Sequence, residues 1–173
     1  MTLIWAKGVH RCGMRALMQA MDMGASSVAL AFGTKGELLV RVAQRYRAAV
    51  SDAVLAALEA ADGRAALERF VRAHAEWLSA GQGGCLLLSL AQEHELDARV
   101  RRVAQQHVDA LRGGLMRALE RAYGTTRHEI MHERMSLTLL MVFGLAAASR
   151  GGATQKSMEA MAEAVIGQIR HWR

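Results

Sequence analysis

The sequence has no proline among its 173 residues. No element is forced to kink or stop for want of an amide hydrogen, so helices can run unbroken. Aromatic residues are 5% of the chain, which leaves a core to aliphatic and methionine side chains. Two cysteines, Cys12 and Cys85, are too few for a disulfide framework and suit a reducing cytosol. MTLIWAKG, at the amino terminus, is too short for a signal peptide and lacks a cleavage region. The uncharged run from Leu137 to Ala148 falls short of the ~20 apolar residues of a membrane span. It reads as a helix buried on most sides, and no membrane partner is expected. Acidic residues are in deficit, 16 against 22 Lys and Arg, for a formal charge of +6. That excess is localised: residues 1–50 carry Lys7, Arg11, Arg15, Lys35, Arg41, Arg45 and Arg47 against only Asp22 and Glu37. A bias of that kind attracts phosphate.

What is present is 52% apolar, rich in Ala, Leu and 11 Met, and long enough to bury a real core. Glycine punctuation and helical periodicity predict an all-α chain of about nine helices. Asp62-Gly63, Gly81-Gln82-Gly83-Gly84, Gly124-Thr125-Thr126 and Gly151-Gly152 mark the breaks. Between them lie helices over about 35–60, 64–80, 85–93, 97–123, 128–149 and 154–171. Leu38, Leu39, Val42, Ala43, Tyr46, Ala49 and Val50 mark the inner face of the first of these. The last two helices are the least polar late elements. A single hairpin cannot bury both apolar surfaces, so a partner is implied, a two-fold dimer being the economical one; the plain alternative is that both helices pack on the four before them. Leu137, Leu140, Met141, Gly144, Met158, Met161, Val165 and Ile169 would form its interface.

The most informative stretch is GMRALMQAMDMGASSVALAFGTKGELL, residues 13–39. Met14, Leu17, Met18 and Met21 recur at helical spacing, Asp22 to Gly24 can turn, and Ala25 to Ala31 form a second short helix. Thr34-Lys35-Gly36-Glu37 then fits the S/T-x-x-E capping box. Two short helices joined by a tight turn make a helix-turn-helix, whose second helix can enter the DNA major groove.

This stretch resembles the TetR family of bacterial transcriptional regulators. Gly8 matches the Gly after that family's first helix, and Met14-Arg15 and Leu17 match its second. Ser27, Val28, Phe32, Gly33, Lys35, Leu38 and Leu39 match the recognition helix and the start of helix four. Gly84-Cys85-Leu86-Leu87 opening a helix, with Val100 beyond it, resembles the ligand-binding half of one subgroup. The resemblance implies a head over 1–46, a ligand-binding and dimerisation domain over 47–173, and a homodimer. It also implies double-stranded DNA and a small-molecule effector as partners. Three departures stand out. Ala29 occupies the position of a Tyr that often touches phosphate, Asp22 stands where the turn usually has Gly, and Met1 falls inside what should be the first helix. Two readings follow: an effector-released repressor, or a truncated relative that keeps dimer and pocket without competent DNA binding.

The expected DNA-facing residues are Arg11, Arg15, Ala25, Ser26, Ser27, Leu30 and Lys35. Serine hydroxyls, helix amides and cations can hold phosphate. No side chain here makes the bidentate contacts that usually read bases. The expected effector pocket draws on Phe70, His74, Trp77, Cys85, Leu88, His107, Leu111, Tyr123, Met141 and Phe143, apolar walls with a few polar groups. Cys85, at a helix start, can have its thiol pKa lowered by the helix dipole. The resemblance implies a possible oxidant or electrophile sensor there; the plain alternative is a small packing residue. His128-Glu129-Ile130-Met131-His132 matches H-E-x-x-H, in which two His would share a helix face and Glu129 act as base. Glu159 and Glu163 are the available third ligands. No metal, cofactor or catalysis is expected.

Overall fold

Four helices begin where a short polar side chain accepts a hydrogen bond from a free first-turn amide: Thr34 from Glu37, Asp62 from Arg64 and Ala65, Asp97 from Arg99, and Thr154 from Ser157. The computed structural model describes residues 1–9, 11–59, 62–81, 83–93, 95–124 and 127–172, without the side chains of Val50 and Ser51. Ala60, Gln82, Thr125, Thr126 and the Val50 side chain, which the sequence reading uses as helix end, loop markers and inner face, lie outside them.

Among the described residues all regular structure is helical. The head comprises α1 (Thr2–Lys7), α2 (Met14–Met21) and α3 (Ala25–Phe32). The helix α4 leads from head to body. It runs Lys35–Tyr46, continues as a π-helical turn Arg47–Ser51, and resumes as Asp52–Ala56 before a 3₁₀ turn Ala57–Glu59. The sequence predicts one uninterrupted helix here. The π turn widens it directly after Tyr46, where head and body are expected to divide; such turns often accompany function. The body contains α5 (Gly63–Ala80), α6 (Leu86–Ala91), α7 (Ala98–Tyr123), α8 (His128–Arg150) and α9 (Gln155–His171). Central to it is α7, which packs against α4, α5, α6 and α8.

The helix α9 lies on α5 and α8. Its Met158, Ala162, Ile166 and Ile169 are buried, and Arg72–Glu163 at 2.9 Å and Arg170–Glu68 at 2.5 Å flank the contact with α5. This corrects the expected dimer face. Met158 and Ile169 are core residues, because their side of α9 is the one α5 covers. Met161 is 39% exposed, and half-buried Val165 packs at the edge of the core. On α8, Leu137 and Met141 are half-buried, Leu140 is 66% exposed and Gly144 is exposed. Their i, i+3, i+4, i+7 spacing makes one flank. The opposite side of α8, Met131, Met135, Leu139, Val142 and Leu145, is core. By length and composition alone α8 reaches what a membrane span requires, more than the run from Leu137 to Ala148 promises; its apolar surface is divided between the core and this open flank.

Between α2 and α3, Asp22 has φ 51° and ψ 46°, the left-handed region. A non-glycine residue there is strained, Asp less than most. Asp22→Gly is expected to raise stability by ~0.5–1 kcal/mol, read as a higher urea midpoint. A lower midpoint would show that the Asp22 side chain stabilises the turn.

Candidate functional site

Two regions carry the chemistry expected of the chain. The first is the outer surface of α2, the turn and α3. Gly13 and Gly24 precede the two helices without side-chain caps. On α3 only Val28 is fully buried; Ala25, Ser26, Ser27, Ala29, Leu30 and Ala31 are exposed. Arg15 lines a groove of about 340 Å³ with Met18, Gln19, Asp22, Met23 and Gly24 at the turn. At the far end of α3, the Arg41 guanidinium lies 5.8 Å from the centre of the Phe32 ring.

The other two expected phosphate partners, Lys35 and Arg11, have contacts of their own. Lys35 Nζ donates to the Val9 carbonyl at 3.4 Å, tying α4 to the α1–α2 loop. Arg11 lines a cleft of about 380 Å³ with Lys7, Gly83, Glu93 and Arg150, between head and body. Arg41 and Gln19 were not among the expected DNA-facing residues. Gln19 lies on α2 and Arg41 on α4, beside α3 rather than on it.

The second region is buried. The Trp5 ring of α1 stacks on Trp77 at 6.1 Å and meets Tyr46 edge-on at 5.1 Å. Trp77 contacts His74 at 5.5 Å, and His74 stacks on Phe70 at 5.5 Å. A continuous run of rings therefore joins the head to the inside of α5. Trp5 Nε1 donates to the Gly84 carbonyl at 2.6 Å. Gly84 has φ +72°, and a Cβ there would fall 2.7 Å from the Ala146 carbonyl, so this position admits only glycine comfortably. Cys85 follows, its Sγ 3.7 Å from His107 Nε2, and Leu86 N donates to the Tyr46 hydroxyl at 3.2 Å. Leu111 lies one turn beyond His107 on α7.

His74 is the anomaly of this cluster. It is 2% exposed, and neither ring nitrogen meets a hydrogen-bond partner among the described residues. A buried polar group left unsatisfied costs ~1–3 kcal/mol. Burial, helped by the nearby His107, pushes the His74 pKa down to about 3. Burial and Arg47 push that of His107 down to about 4. Both imidazoles are neutral at pH 7, each with one donor and one acceptor nitrogen. Burial also raises the Tyr46 hydroxyl.

The expected pocket set divides. Phe70, His74, Trp77, Cys85, His107 and Leu111 belong to the buried region. Leu88 and Phe143 instead line an outer cleft of about 310 Å³, and Met141 lies on the half-exposed flank of α8. Tyr123 is a correction. It sits sixteen residues beyond His107 on α7, ~24 Å at 1.5 Å per residue. There it donates to the Ile169 carbonyl at 3.0 Å and packs under Arg134. Trp5 and Tyr46 were missed, because no local periodicity links residues so distant in sequence.

Cys85 also departs from expectation. It is 1% exposed, and burial raises its pKa; loss of hydration outweighs the few amides of a six-residue helix. Cys12 is buried too, 3.6 Å from the Leu3 carbonyl. An aromatic disulfide reagent should therefore titrate almost no thiol in the native chain within minutes, and both after unfolding in urea. Fast reaction of one native thiol would show an accessible thiolate.

In the H-E-x-x-H segment the exposed His128 and His132 rings lie 4.4 Å apart. Glu163 is taken by Arg72 and Glu159 by Gln155, and no metal-binding group of three such side chains is present among the described residues.

No family model matches the sequence, and no curated protein matches it. Solved structures do resemble it. A cysteine mutant of the TetR family transcriptional regulator CifR, in complex with 26-bp double-strand operator DNA, superposes with TM-score 0.84 at 19% identity, covering 99% of this chain and 92% of that one. The TetR family transcriptional regulator PfmR from Thermus thermophilus gives 0.75 at 22%, covering 99% and 91%. Reduced NemR from E. coli gives 0.73 at 17%, covering 94% and 89%. At such identities the likeness establishes the fold, which is that of TetR family regulators.

Proposed function

We propose that the chain is a dimeric, DNA-binding transcriptional regulator of the TetR type, a repressor released from DNA by a small molecule. The observation that carries this reading is the head: a helix, a tight turn and a second helix whose outer surface is wholly solvent-exposed, with cations at both ends. Two such heads, paired through the open flank of α8 and α9, would enter successive major grooves. Support for a DNA partner comes from the CifR complex, in which that protein of the same fold holds operator DNA.

Effector response is proposed for the buried region. A ligand that supplies hydrogen bonds to His74 relieves an existing cost, and so gains affinity from the protein as it stands. To reach His74 it must shift Phe70 or Trp77. Trp77 carries Trp5 and Tyr46 with it, the first in α1 of the head and the second just before the π turn of α4. The ligand releases DNA only to the extent that it prefers the shifted arrangement, and the coupling is reciprocal.

A salt titration tests the first part, using DNA from upstream of the gene with unrelated DNA as competitor. Binding that survives competitor at moderate salt is expected. Equal binding to both DNAs, lost at modest salt, would leave charge attraction alone, and the chain would then be a ligand-binding dimer without a working head.

A further inference from the structure

The outward residues of α3 present a narrow chemical vocabulary. They are alanines, two serines and Leu30, with no Arg, Lys, Asn, Gln, Asp or Glu anywhere from Ala25 to Phe32. Leu30 is 92% exposed, above Leu140 at 66% and Met161 at 39%. On a 3.6-residue helix it shares a face with Ser26 and Ser27, one turn earlier. Each base edge in the major groove demands a particular partner. Guanine is read by paired donors, adenine by a carboxamide, cytosine by an acceptor, and thymine by apolar contact with its C5-methyl group. Only the last partner is on offer here, since serine hydroxyls serve either role and discriminate little. Arg15, in the first turn of α2 and lining a groove that also holds Asp22, and Arg41, over Phe32 at the far end of α3, are the cations beside this apolar face that can meet phosphates flanking a groove.

We propose that the head recognises thymine-containing half-sites through thymine methyl groups, with Leu30 as the principal contact and the neighbouring alanines beside it. This rests on the DNA-binding reading and assigns its specificity: bases are chosen by methyl burial, and phosphate contacts supply the remaining affinity. Burial of one methyl group corresponds to about fourfold in affinity, so a dimer covering two half-sites gains about fourfold for each methyl it covers.

The test uses the intact protein and three synthetic duplexes at equal salt: alternating dA-dT, alternating dA-dU and alternating dG-dC. Uracil differs from thymine only by the missing methyl, with charge and hydrogen-bonding edges unchanged. The expected order is dA-dT tightest, weaker by about tenfold or more on dA-dU, which is two or more methyls. Leu30→Ala should bring the dT/dU ratio toward one while the salt slope, set by phosphate contacts, stays unchanged. Leu30 is solvent-exposed, so the variant keeps its fold, checked by circular dichroism. Equal affinity for dT and dU duplexes, preference for dG-dC, or unchanged discrimination in Leu30→Ala would overturn the inference and leave DNA binding standing. Failure to bind any of the three would overturn both.

Discussion

Stability is expected to fall steeply as the pH drops from 6.5 toward 4. His74 and His107 have folded pKa values of about 3 and about 4, whereas an unfolded histidine titrates near 6.5. Between those limits the unfolded chain binds protons that the folded chain refuses. The two imidazoles therefore carry no protonation penalty above about pH 6.5, and destabilise progressively below it. At 1.36 kcal/mol per unit, the pair is worth on the order of several kcal/mol by pH 4, a large share of the ~5–15 kcal/mol that holds a domain folded. Carboxylates titrate lower. Arg170 lowers the pKa of Glu68, and Thr34 that of Glu37, so what they contribute is intact above the unfolded carboxylate range and is lost as pH falls through the lowered values. The window from 6.5 to 4.5 thus isolates the histidines. Urea midpoints at half-unit intervals measure the slope. His74→Phe should flatten it substantially and leave the chain at least as stable at pH 7, since two unpartnered ring nitrogens disappear. An equally steep slope in the variant would mean that His74 is hydrated or paired in solution.

A charge placed on the open flank of α8 should cost more than any single phosphate contact. Leu140 and Met161 are the exposed large side chains of the last two helices, bordered by Leu137, Met141 and Val165. Contiguous apolar surface of this kind marks an interface. Leu140→Glu is expected to yield a folded monomer, because Met158, Ile166 and Ile169 still seat α9 in the core. Its DNA affinity should fall by ~10²–10⁴-fold as two linked heads become one. Light scattering after gel filtration gives the mass, and a binding titration gives the affinity. An intact dimer with unchanged affinity would place the contact on another face.

Local chemistry was legible in the sequence, and long-range chemistry was not. The Thr34–Glu37 capping box and the breaks at Asp62-Gly63 and Gly151-Gly152 depend on residues within a turn of one another, and they stand as read. The apolar positions of α9 form one stripe in sequence but are shared between α5 and solvent. Met158 and Met161 cannot be told apart until α5 is placed. Cys85 was read from its helix start, but its burial among other elements decides its acidity. Tyr123 lies sixteen residues beyond His107 on α7 and is turned to another side of that helix, so no pocket holds both. The π turn at Arg47–Ser51 has a sequence, RAAVS, that an ordinary helix would also accept. The sequence predicts Leu30 to face DNA, but its isolation on an apolar face is visible only from the exposure of its neighbours.

In the proposed dimer, two α3 helices occupy successive major grooves. A footprint tests it most directly, on genomic fragments that the protein itself retains in competitor DNA. Two protected half-sites centred one helical turn apart, about 10 base pairs, are expected, both lost in Leu140→Glu at the same protein concentration. Protection without this phasing, or no protected segment on any retained fragment, would contradict it.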